Sequence, residues 1–521
     1  MPRAILPSLL LAACSSGSYL GADAMTDASS DAPSSSWSGD DDDGGTSTTA
    51  PPEVEEDRLL LPPAQTDVFV FVPNPERDTV TRINVRSLAV DTTMVGTDPQ
   101  IVLTTPDFGT AVVFNRGDDT VTLLDADTLE QDNVDVRANM NDMVLSPDGG
   151  WAILWHNVAR ERPDDPKVEG LQSFNEVDFV DVRRGTHQPL AVGFNPRMVR
   201  FTPDGSLAVV VSDAYLSIVD LTVDPLSPSL VELEPGVLDP ASAEEVIVAP
   251  DGSFAWVRQF GSSALRVVDL ASGAVGQVPA GDNPTDLDLS PDGRAAVAVA
   301  RGSAELWVYD AARPFVAPQV VALPPDGAYG QLLFDPTGRQ GVLYTTASAI
   351  ERFAVWDPVG GTVTERSLVK PVQSVAVSPT GGTMLVFHTK TDGPATEPVF
   401  AGHWAMSLVD LSDFRSNPLL LPAEPLGYAN STSGHLGYMV MDGQQYFEVL
   451  NYDTLLHDQY SLRSPPVFLG VLPDLSPEDG EEPPAWISQE YPLGRISFFD
   501  SDDGSLDTLT GFELNSEIEV E

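Results

Sequence analysis

Histidine and cysteine, the side chains that most often bind zinc, are few in this sequence and widely spaced. The six histidines are His156, His187, His388, His403, His435 and His457. None of them follows the His-x-x-x-His spacing that sets two imidazoles side by side on a helix around zinc. The only cysteine, Cys14, leaves no internal disulfide and no multi-thiolate site. The sequence therefore predicts no catalytic residue, no metal site and no cofactor.

Two stretches combine aromatic, imidazole and cationic side chains, a mixture typical of binding surfaces. The residues are Trp155, His156, Arg160, Arg162 and Lys167 at and within 157–173, and His403 and Trp404 beside 390–402. We expect these stretches to be two lips of a surface that receives an acidic partner. The alternative is that both are tolerated surface insertions whose tryptophans cover strand edges.

A third group of charged residues stands just before or within short apolar runs. Its members are Asp142, Arg197, Arg200, Glu244, Glu245, Asp286 and Asp288. If those runs line a central channel, the group either binds a cation or polar ligand, or solvates the channel and pairs with its neighbours. The second alternative is favoured, because such charges are most often paired.

The elements that would position these residues belong to a repeat of a short apolar strand, a turn, a longer apolar strand, a loop and a third strand. The turn has the form Ser-Pro-Asp-Gly or a close variant of it, in which proline presets the first torsion, Asp or Thr bonds the local backbone and Gly accepts a positive φ. Seven such turns begin at Thr105, Ser146, Thr202, Ala249, Ser290, Asp335 and Ser378. Their regular spacing indicates tandem four-stranded units that bury their faces on one another, as in a β-propeller.

A second marker extends the count of units, because the third strand ends in an acidic or amide residue. The markers are Asn84, Asp125, Asp181, Asp220, Asp269, Asp310, Asp357, Asp410, Asp453 and Asp500. In the outer units the clean turn is lost, and the first strand of the first unit is expected at residues 59–61. The prediction is an all-β fold, a propeller of about ten sequence repeats. The number of blades is left between seven and ten.

The blade opening at Asn283-Pro284-Thr285-Asp286 and the turn at Ser290-Pro291-Asp292-Gly293 resemble the YVTN-type repeats of prokaryotic surface proteins. That family is related to the lactonase-like propellers. The resemblance covers about residues 58–521 and implies a propeller fold. Seven blades are common in the family, whereas ten units are counted here.

The amino terminus resembles a bacterial lipoprotein signal. Arg3 precedes a short apolar run that ends in Leu11-Ala12-Ala13-Cys14, which resembles a lipobox. The resemblance implies cleavage before Cys14 and acylation of its thiol, and Ser15 favours the outer membrane or cell surface. The alternative is an ordinary secretory signal with a chance cysteine. Residues 1–14 are thus expected to be the signal, 15–57 a disordered acidic tether and 58–521 the propeller.

The charge balance restricts the partners. With 27 Lys+Arg against 78 Asp+Glu the formal net charge is -51, which repels nucleic acid and anionic lipid headgroups. Membrane contact is therefore expected through Cys14 alone. The predicted function is a non-catalytic binding or scaffolding lipoprotein for a protein or glycan. A lactonase-like hydrolase with acids at the channel mouth and a structural surface-layer component are the alternatives.

Overall fold

The computed structural model describes residues 64–161, 174–238, 240–390, 397–474, 482–491 and 493–512. The predicted signal sequence and tether lie outside these residues. The described chain is all-β and forms ten four-stranded antiparallel sheets, the blades, arranged in a ring. Short 3₁₀ turns lie at Pro75–Arg77, Val158–Arg160, Pro325–Gly327 and Pro398–Phe400. The propeller prediction is confirmed, and the blade number is ten.

The first five blades take their strands in chain order. Blade 1 contains β1 (Ala64–Gln65), β2 (Phe69–Asn74), β3 (Thr79–Asn84) and β4 (Val90–Met94). Blade 2 contains β5 (Pro99–Thr104), β6 (Thr110–Asn115), β7 (Thr120–Asp125) and β8 (Gln131–Asp135). Blade 3 contains β9 (Asp142–Leu145), β10 (Trp151–Trp155), β11 (Glu176–Asp181) and β12 (Thr186–Ala191). Blade 4 contains β13 (Pro196–Phe201), β14 (Leu207–Ser212), β15 (Tyr215–Asp220) and β16 (Pro228–Glu232). Blade 5 contains β17 (Ala243–Val248), β18 (Phe254–Gln259), β19 (Ala264–Asp269) and β20 (Val275–Pro279).

The last five blades repeat the same order. Blade 6 contains β21 (Pro284–Leu289), β22 (Ala295–Ala300), β23 (Glu305–Asp310) and β24 (Gln319–Ala322). Blade 7 contains β25 (Gln331–Phe334), β26 (Gly341–Tyr344), β27 (Arg352–Asp357) and β28 (Thr362–Ser367). Blade 8 contains β29 (Val372–Val377), β30 (Thr383–His388), β31 (Trp404–Asp410) and β32 (Ser416–Leu421). Blade 9 contains β33 (Pro425–Asn430), β34 (Leu436–Met441), β35 (Tyr446–Asn451) and β36 (Leu456–Ser461). Blade 10 contains β37 (Pro466–Val471), β38 (Ala485–Gln489), β39 (Arg495–Phe499) and β40 (Leu506–Thr510).

The core lies between blades rather than within them. Each interface between neighbouring blades holds one apolar cluster, built mainly from second and third strands. Side chains alternate across each sheet, so Phe71 packs toward blade 2 while Val70 packs toward blade 10. This alternation explains why the second strands are apolar at nearly every position, since both of their faces are buried.

The predicted turns join first and second strands, and their side chains bond as expected. In blade 6, the Ser290 hydroxyl donates to Asp292 at 2.7 Å, Asp292 accepts from the Arg294 backbone at 3.1 Å, and Gly293 has a φ of 69°. In blade 9 the turn persists without proline or aspartate. There the Gly434 N–H donates to the Ser431 carbonyl at 3.0 Å, and the φ of Gly434 is 73°.

The acidic markers close the turns between third and fourth strands. Asp125 accepts from the backbone N–H groups of Asp127 and Thr128 at 3.1 and 2.8 Å, which is the bonding that Asx turns require. One marker was wrong: β35 ends at Asn451, which accepts from Thr454 at 2.9 Å in the same way, and not at Asp453. The first strand expected at 59–61 lies outside the described residues, and β1 is Ala64–Gln65.

The ring closes between blade 10 and blade 1 without a shared strand, because each blade is completed by its own four strands. One buried cluster joins Val70 and Ile83 to Trp486 and Ile496. The side chain of Gln65 spans the same seam, donating to the Val471 carbonyl at 2.6 Å and accepting from the Trp486 indole at 2.6 Å.

Candidate functional site

The four antiparallel strands of each blade divide the loops between two faces of the ring. Loops between second and third strands lie on the same side as the connections between blades, which we call the loop face. The turns described above lie on the other side, the turn face. First strands of neighbouring blades contact one another and so lie innermost. Fourth strands such as β36 are mostly exposed and lie outermost.

The predicted lip on blade 3 begins with two buried side chains. Trp155 is 5% exposed and packs in the cluster between blades 3 and 4. His156 is 4% exposed, and its Nδ1 and Nε2 lie 2.8 Å from the Asn139 carbonyl and 2.9 Å from a Glu161 carboxylate oxygen. Both side chains therefore fix the base of the loop, and neither reaches solvent to contact a partner directly.

Arg160 of the same lip is already bound to a carboxylate. Its Nη1 lies 3.0 Å from the Asp142 Oδ1, and its side chain is 15% exposed. The Asn157 amide donates to the other Asp142 oxygen at 2.9 Å. Burial raises the pKa of Asp142, although the Arg160 charge and the Asn157 bond oppose the rise. The positive charge of Arg160 is thus paired with a carboxylate of its own blade.

The remaining cations predicted for this lip, Arg162 and Lys167, lie outside the described residues. Their part in an acid-binding surface stays a prediction.

The predicted lip on blade 8 is more open. His403 is exposed, its Nδ1 lies 2.8 Å from the Ala401 carbonyl, and Trp404 is half-buried at the start of β31. Beneath them the side chain of Lys370 is fully buried and donates to the His403 carbonyl at 2.6 Å. Sequence reasoning did not select Lys370. The available signal was the rarity of lysine, since the chain has only three.

The buried His388 stands next to this lip. Burial lowers its pKa to about 4, so the imidazole is neutral at physiological pH. Its Nδ1 lies 3.1 Å from the Pro371 carbonyl and its Nε2 2.8 Å from the Ser407 hydroxyl. With Nδ1 carrying the proton, Nε2 accepts from the serine, which makes this a closed structural network.

The ring keeps the two lips apart. They belong to blades 3 and 8, which are separated by four blades in either direction around a ring of ten. In the part of the chain that the structure describes, the two lips therefore lie on opposite sides of the ring, and their role as one binding surface stays a prediction.

Several of the charged residues predicted for the channel form hydrogen bonds between first strands of neighbouring blades. Arg197 donates to the Ala243 carbonyl at 3.0 Å, and Arg200 donates to the Val246 carbonyl at 3.1 Å. Both bonds tie blade 4 to blade 5. These contacts support the interpretation that channel charges pair with their neighbours.

Asp286 makes the equivalent link between blades 6 and 7. It is 2% exposed and accepts from the backbone N–H of Leu332 at 2.5 Å. A carboxylate that accepts from the backbone of the neighbouring blade fixes the register of the two first strands.

A compact ion cluster lines the wall of blades 4 and 5. The Arg258 Nε lies 2.6 Å from a Glu245 oxygen, and the Arg197 Nη1 lies 3.6 Å from Glu244. Burial alone would lower the pKa of Arg258, but the hydrogen bond to Glu245 and the combined charges of Glu245, Asp286 and Glu244 outweigh it and the pKa is raised. Acids and cations are therefore matched on this wall. Among the described residues, no three His, Cys, Asp or Glu side chains group so as to hold a metal ion.

Sequence reasoning missed a group of exposed apolar side chains on the loop face of blades 3 to 5. Phe194 is 52% exposed in the connection from blade 3 to blade 4, Leu238 is fully exposed in the next connection, and Phe260 is 65% exposed in the loop after β18. Phe174 links the group to blade 3, with its ring 6.0 Å from Phe194 and 5.2 Å from His156. We call Phe174, Phe194, Leu238 and Phe260 the loop-face patch. Isolated apolar residues in loops have no periodicity, so the sequence carries no signal that groups them.

Comparison with solved structures gives a likeness of fold alone. The alignment with a crystal structure of the eukaryotic initiation factor spans 76% of this chain and 97% of the initiation factor chain, at 11% sequence identity and a TM-score of 0.50. The alignment with the β-propeller domain of Cps50 (Swd1) from Myceliophteria thermophila spans 57% of this chain and 94% of that domain's chain, at 12% sequence identity and a TM-score of 0.34. The alignment with a protein described as a 6-phosphogluconolactonase from Bacteroides uniformis spans 56% of this chain and 93% of the chain it matches, at 14% sequence identity and a TM-score of 0.35.

No protein-family model matches the chain, and no curated protein matches it in sequence. Within the described residues there is also no helix of the length and apolar character needed to cross a bilayer.

Proposed function

We propose that this chain is a non-catalytic binding propeller of the cell envelope, anchored by lipid on Cys14, with YVTN-type repeats. Its loop face would receive a protein partner. The observation that carries the proposal is the loop-face patch, in which Phe194, Leu238 and Phe260 expose apolar side chains on one face of adjacent blades. Exposed apolar groups set among polar ones are typical of protein-binding surfaces.

The patch favours a protein over a glycan as the partner. An aliphatic side chain as exposed as Leu238 gains most from burial against another apolar surface, whereas sugars mainly present hydroxyls. Fixed neighbours support the patch, since Phe174 packs on the buried His156 ring and so presents a preformed surface. Preformed surfaces lose little conformational freedom when they bind.

The anchor supports a location at the envelope. A short apolar run that ends in Leu11-Ala12-Ala13-Cys14 supplies the lipidation site, and the Ser- and Asp-rich residues 15–57 supply a spacer. Acyl chains bind the bilayer by the hydrophobic effect, so a protein with a net charge of -51 can remain at an anionic surface.

Site-specific photocrosslinking in intact bacteria tests the binding role. A photoreactive residue is placed at Phe194, Leu238 or Phe260 in one set of variants, and at the exposed turn-face residues Ser87 and Ala271 in the control set. We expect one discrete protein adduct from the loop-face positions and none from the controls. Equal adducts from both sets, or none from either, would refute the proposal.

The hydrolase alternative is examined with the same purified protein. Turnover of a panel of lactones that is lost in Glu244→Gln would replace the binding role with catalysis at the channel wall. We expect no turnover above the rate of the solvent reaction.

A further inference from the structure

Two of the six histidines, His156 and His388, occupy equivalent positions in blades 3 and 8. Each lies ten residues after the first residue of its blade's turn, which is Ser146 or Ser378. In each, the Nδ1 atom lies close to a backbone carbonyl 17 residues earlier in the chain, at 2.8 Å in blade 3 and 3.1 Å in blade 8. Both rings are buried. The Nε2 atoms of the two rings, however, meet different partners.

The partner of Nε2 decides which protonation state of the ring fits. In blade 8, Nε2 of His388 lies 2.8 Å from the Ser407 hydroxyl, which can donate, so a neutral ring satisfies both contacts. In blade 3, Nε2 of His156 lies 2.9 Å from a Glu161 carboxylate oxygen. A carbonyl and an ionised carboxylate only accept hydrogen bonds, and a neutral imidazole has one N–H to donate. The doubly protonated ring of His156 therefore satisfies both of its partners, and the neutral ring satisfies one.

His156 contacts the chain on both sides of residues 162–173. Glu161 is the last described residue before that stretch, and Phe174 is the first after it. The rings of His156 and Phe174 are nearly perpendicular, at 84°, with their centroids 5.2 Å apart. The ring of Phe174 in turn lies 6.0 Å from that of Phe194, which is 52% exposed in the loop-face patch. One buried imidazole thus contacts both the carboxylate at one border and the aromatic ring that continues into the patch.

The other charged groups at the base of this lip and on the adjoining strands are paired with one another. The pairs are Arg160 with Asp142 at 3.0 Å, Arg137 with Glu176, and His187 with Asp178 at 3.0 Å. Burial raises the pKa of Asp178, although its hydrogen bond with His187 opposes the rise. Glu161 is therefore the acid that faces His156, and His187 is a second titrating group that a test has to separate from it.

We propose that His156 makes the loop-face patch responsive to pH. In its doubly protonated form the ring bonds both the Asn139 carbonyl and Glu161 and supports Phe174, so the patch is complete and its partner binds most tightly. As the pH rises through the range in which histidine loses its proton, one of the two bonds is lost and binding weakens. This regulation rests on the proposed function for its partner, whereas the change at His156 can be measured without one.

The expected effect is modest and local. Glu161 is 42% exposed, and solvent weakens ion pairs at such positions. The Phe174 carbonyl accepts from the Asn195 N–H at 2.6 Å, so its main chain is held when the ring moves. We expect the affinity of the patch for its partner to fall roughly two- to fivefold between about pH 5 and pH 8, without unfolding of the blade.

The first measurement needs no partner. In the full-length protein, NMR of histidine isotope-labelled at Cε1 reports the protonation of each ring, and para-fluorophenylalanine at position 174 reports the surroundings of that ring. We expect the His156 signal to change between about pH 5 and pH 8, and the fluorine signal to change with the same midpoint. The His388 signal should stay constant over this range, because burial lowers the pKa of His388 to about 4.

Three substitutions separate charge from shape. Glu161→Gln replaces the carboxylate with an amide that can donate to Nε2, so a neutral ring fits and the fluorine signal should no longer depend on pH. His156→Gln removes the titrating group. Glutamine stands at the equivalent position in blade 5, where Gln259 is fully buried, so the fold accommodates it. His187→Gln is the control for the other titrating histidine of blade 3, and it should keep the wild-type response.

The second measurement connects the titration to binding. Photocrosslinking from position 194 is carried out in intact bacteria at about pH 5 and at about pH 8. In the wild type we expect the discrete adduct in roughly two- to fivefold higher yield at the lower pH. In His156→Gln the yield should be equal at the two values.

A His156 ring whose protonation does not change over this range, or a fluorine signal that does not follow it, would overturn the proposal. So would a wild-type adduct of equal yield at both pH values, and in that case the binding role itself would stand. Absence of any adduct at either pH would reject the proposed function and the regulation of binding with it. The NMR titration would then still decide whether His156 holds Phe174.

Discussion

The seam between blades 10 and 1 is the interface where the ends of the array meet, and Gln65→Ala tests how it is held. Gln65 bonds both the Val471 carbonyl and the Trp486 indole, each at 2.6 Å. Trp486 is fully buried, so the substitution leaves its N–H without this acceptor in an apolar cluster. A buried unsatisfied donor costs about 1–3 kcal/mol and a lost neutral hydrogen bond about 1 kcal/mol. Since Gln65 is half-buried and water can partly replace it, we expect a loss of about 2 kcal/mol in the free energy of unfolding.

Urea unfolding measures that free energy, and hydrogen exchange shows where the ring opens. Amides of blades 1 and 10 should exchange faster in Gln65→Ala, while those of blades 5 and 6 should not change. Gln459→Ala is the control, because Gln459 bonds Glu448 within blade 9 at 2.8 Å and does not cross an interface. A double-mutant cycle with Trp486→Phe isolates the indole bond, and we expect a coupling of about 1 kcal/mol.

The seam hypothesis fails if Gln65→Ala unfolds at the wild-type urea concentration with unchanged exchange in blades 1 and 10. A cycle without coupling would exclude the indole bond, and the loss would then come from the Val471 bond and the packing of the glutamine stem.

Three further predictions concern the anchor, a first-strand clasp and a turn. Cys14→Ser should abolish incorporation of a labelled lipid precursor in a competent bacterial host; an unlabelled wild type would reject lipidation itself. Asp286→Ala should lower the free energy of unfolding by about 1–3 kcal/mol, because the buried Leu332 N–H loses its acceptor, and an unchanged urea midpoint would contradict this. The hydrogen bond from Thr202 lowers the pKa of Asp204 in the folded protein. The charged Asp204 carboxylate therefore stabilises the fold above about pH 4, and this contribution is lost as the pH falls through the lower folded-state pKa. The wild type and Asp204→Asn should therefore differ in stability at neutral pH and converge in acid.

The fold was predictable because each turn has a local chemical requirement. Proline, an oxygen-bearing side chain and glycine at successive positions, as around Asp292, can be found without knowledge of the rest of the chain. Where other residues meet the same requirement, the pattern disappears although the structure remains. Ser431 and Gly434 form the turn of blade 9, and Asn451 replaces an expected aspartate.

The candidate site was much less predictable, because burial and pairing depend on distant residues. Trp155 and His156 look like exposed recognition groups beside a long loop. Trp155 however packs between blades 3 and 4, and His156 is buried against Asn139, Glu161 and Phe174. Arg160 looks like a free cation in a loop until Asp142, at the start of β9, is placed against it. The exposed position of Phe194 follows from the shape of the connection between two blades, which no periodic pattern encodes.

Because every blade is completed by its own four consecutive strands, a whole repeat is a self-contained unit of inheritance. Duplication or loss of one unit would leave every remaining sheet intact. The neighbouring blades would then change their angle to one another slightly so that the ring still closes. The first and last units meet through matched side chains of their own, since Gln65 accepts from the Trp486 indole. Gain or loss of a unit inside the array would therefore keep the Gln65–Trp486 contact, whereas removal of the first or last unit would break it.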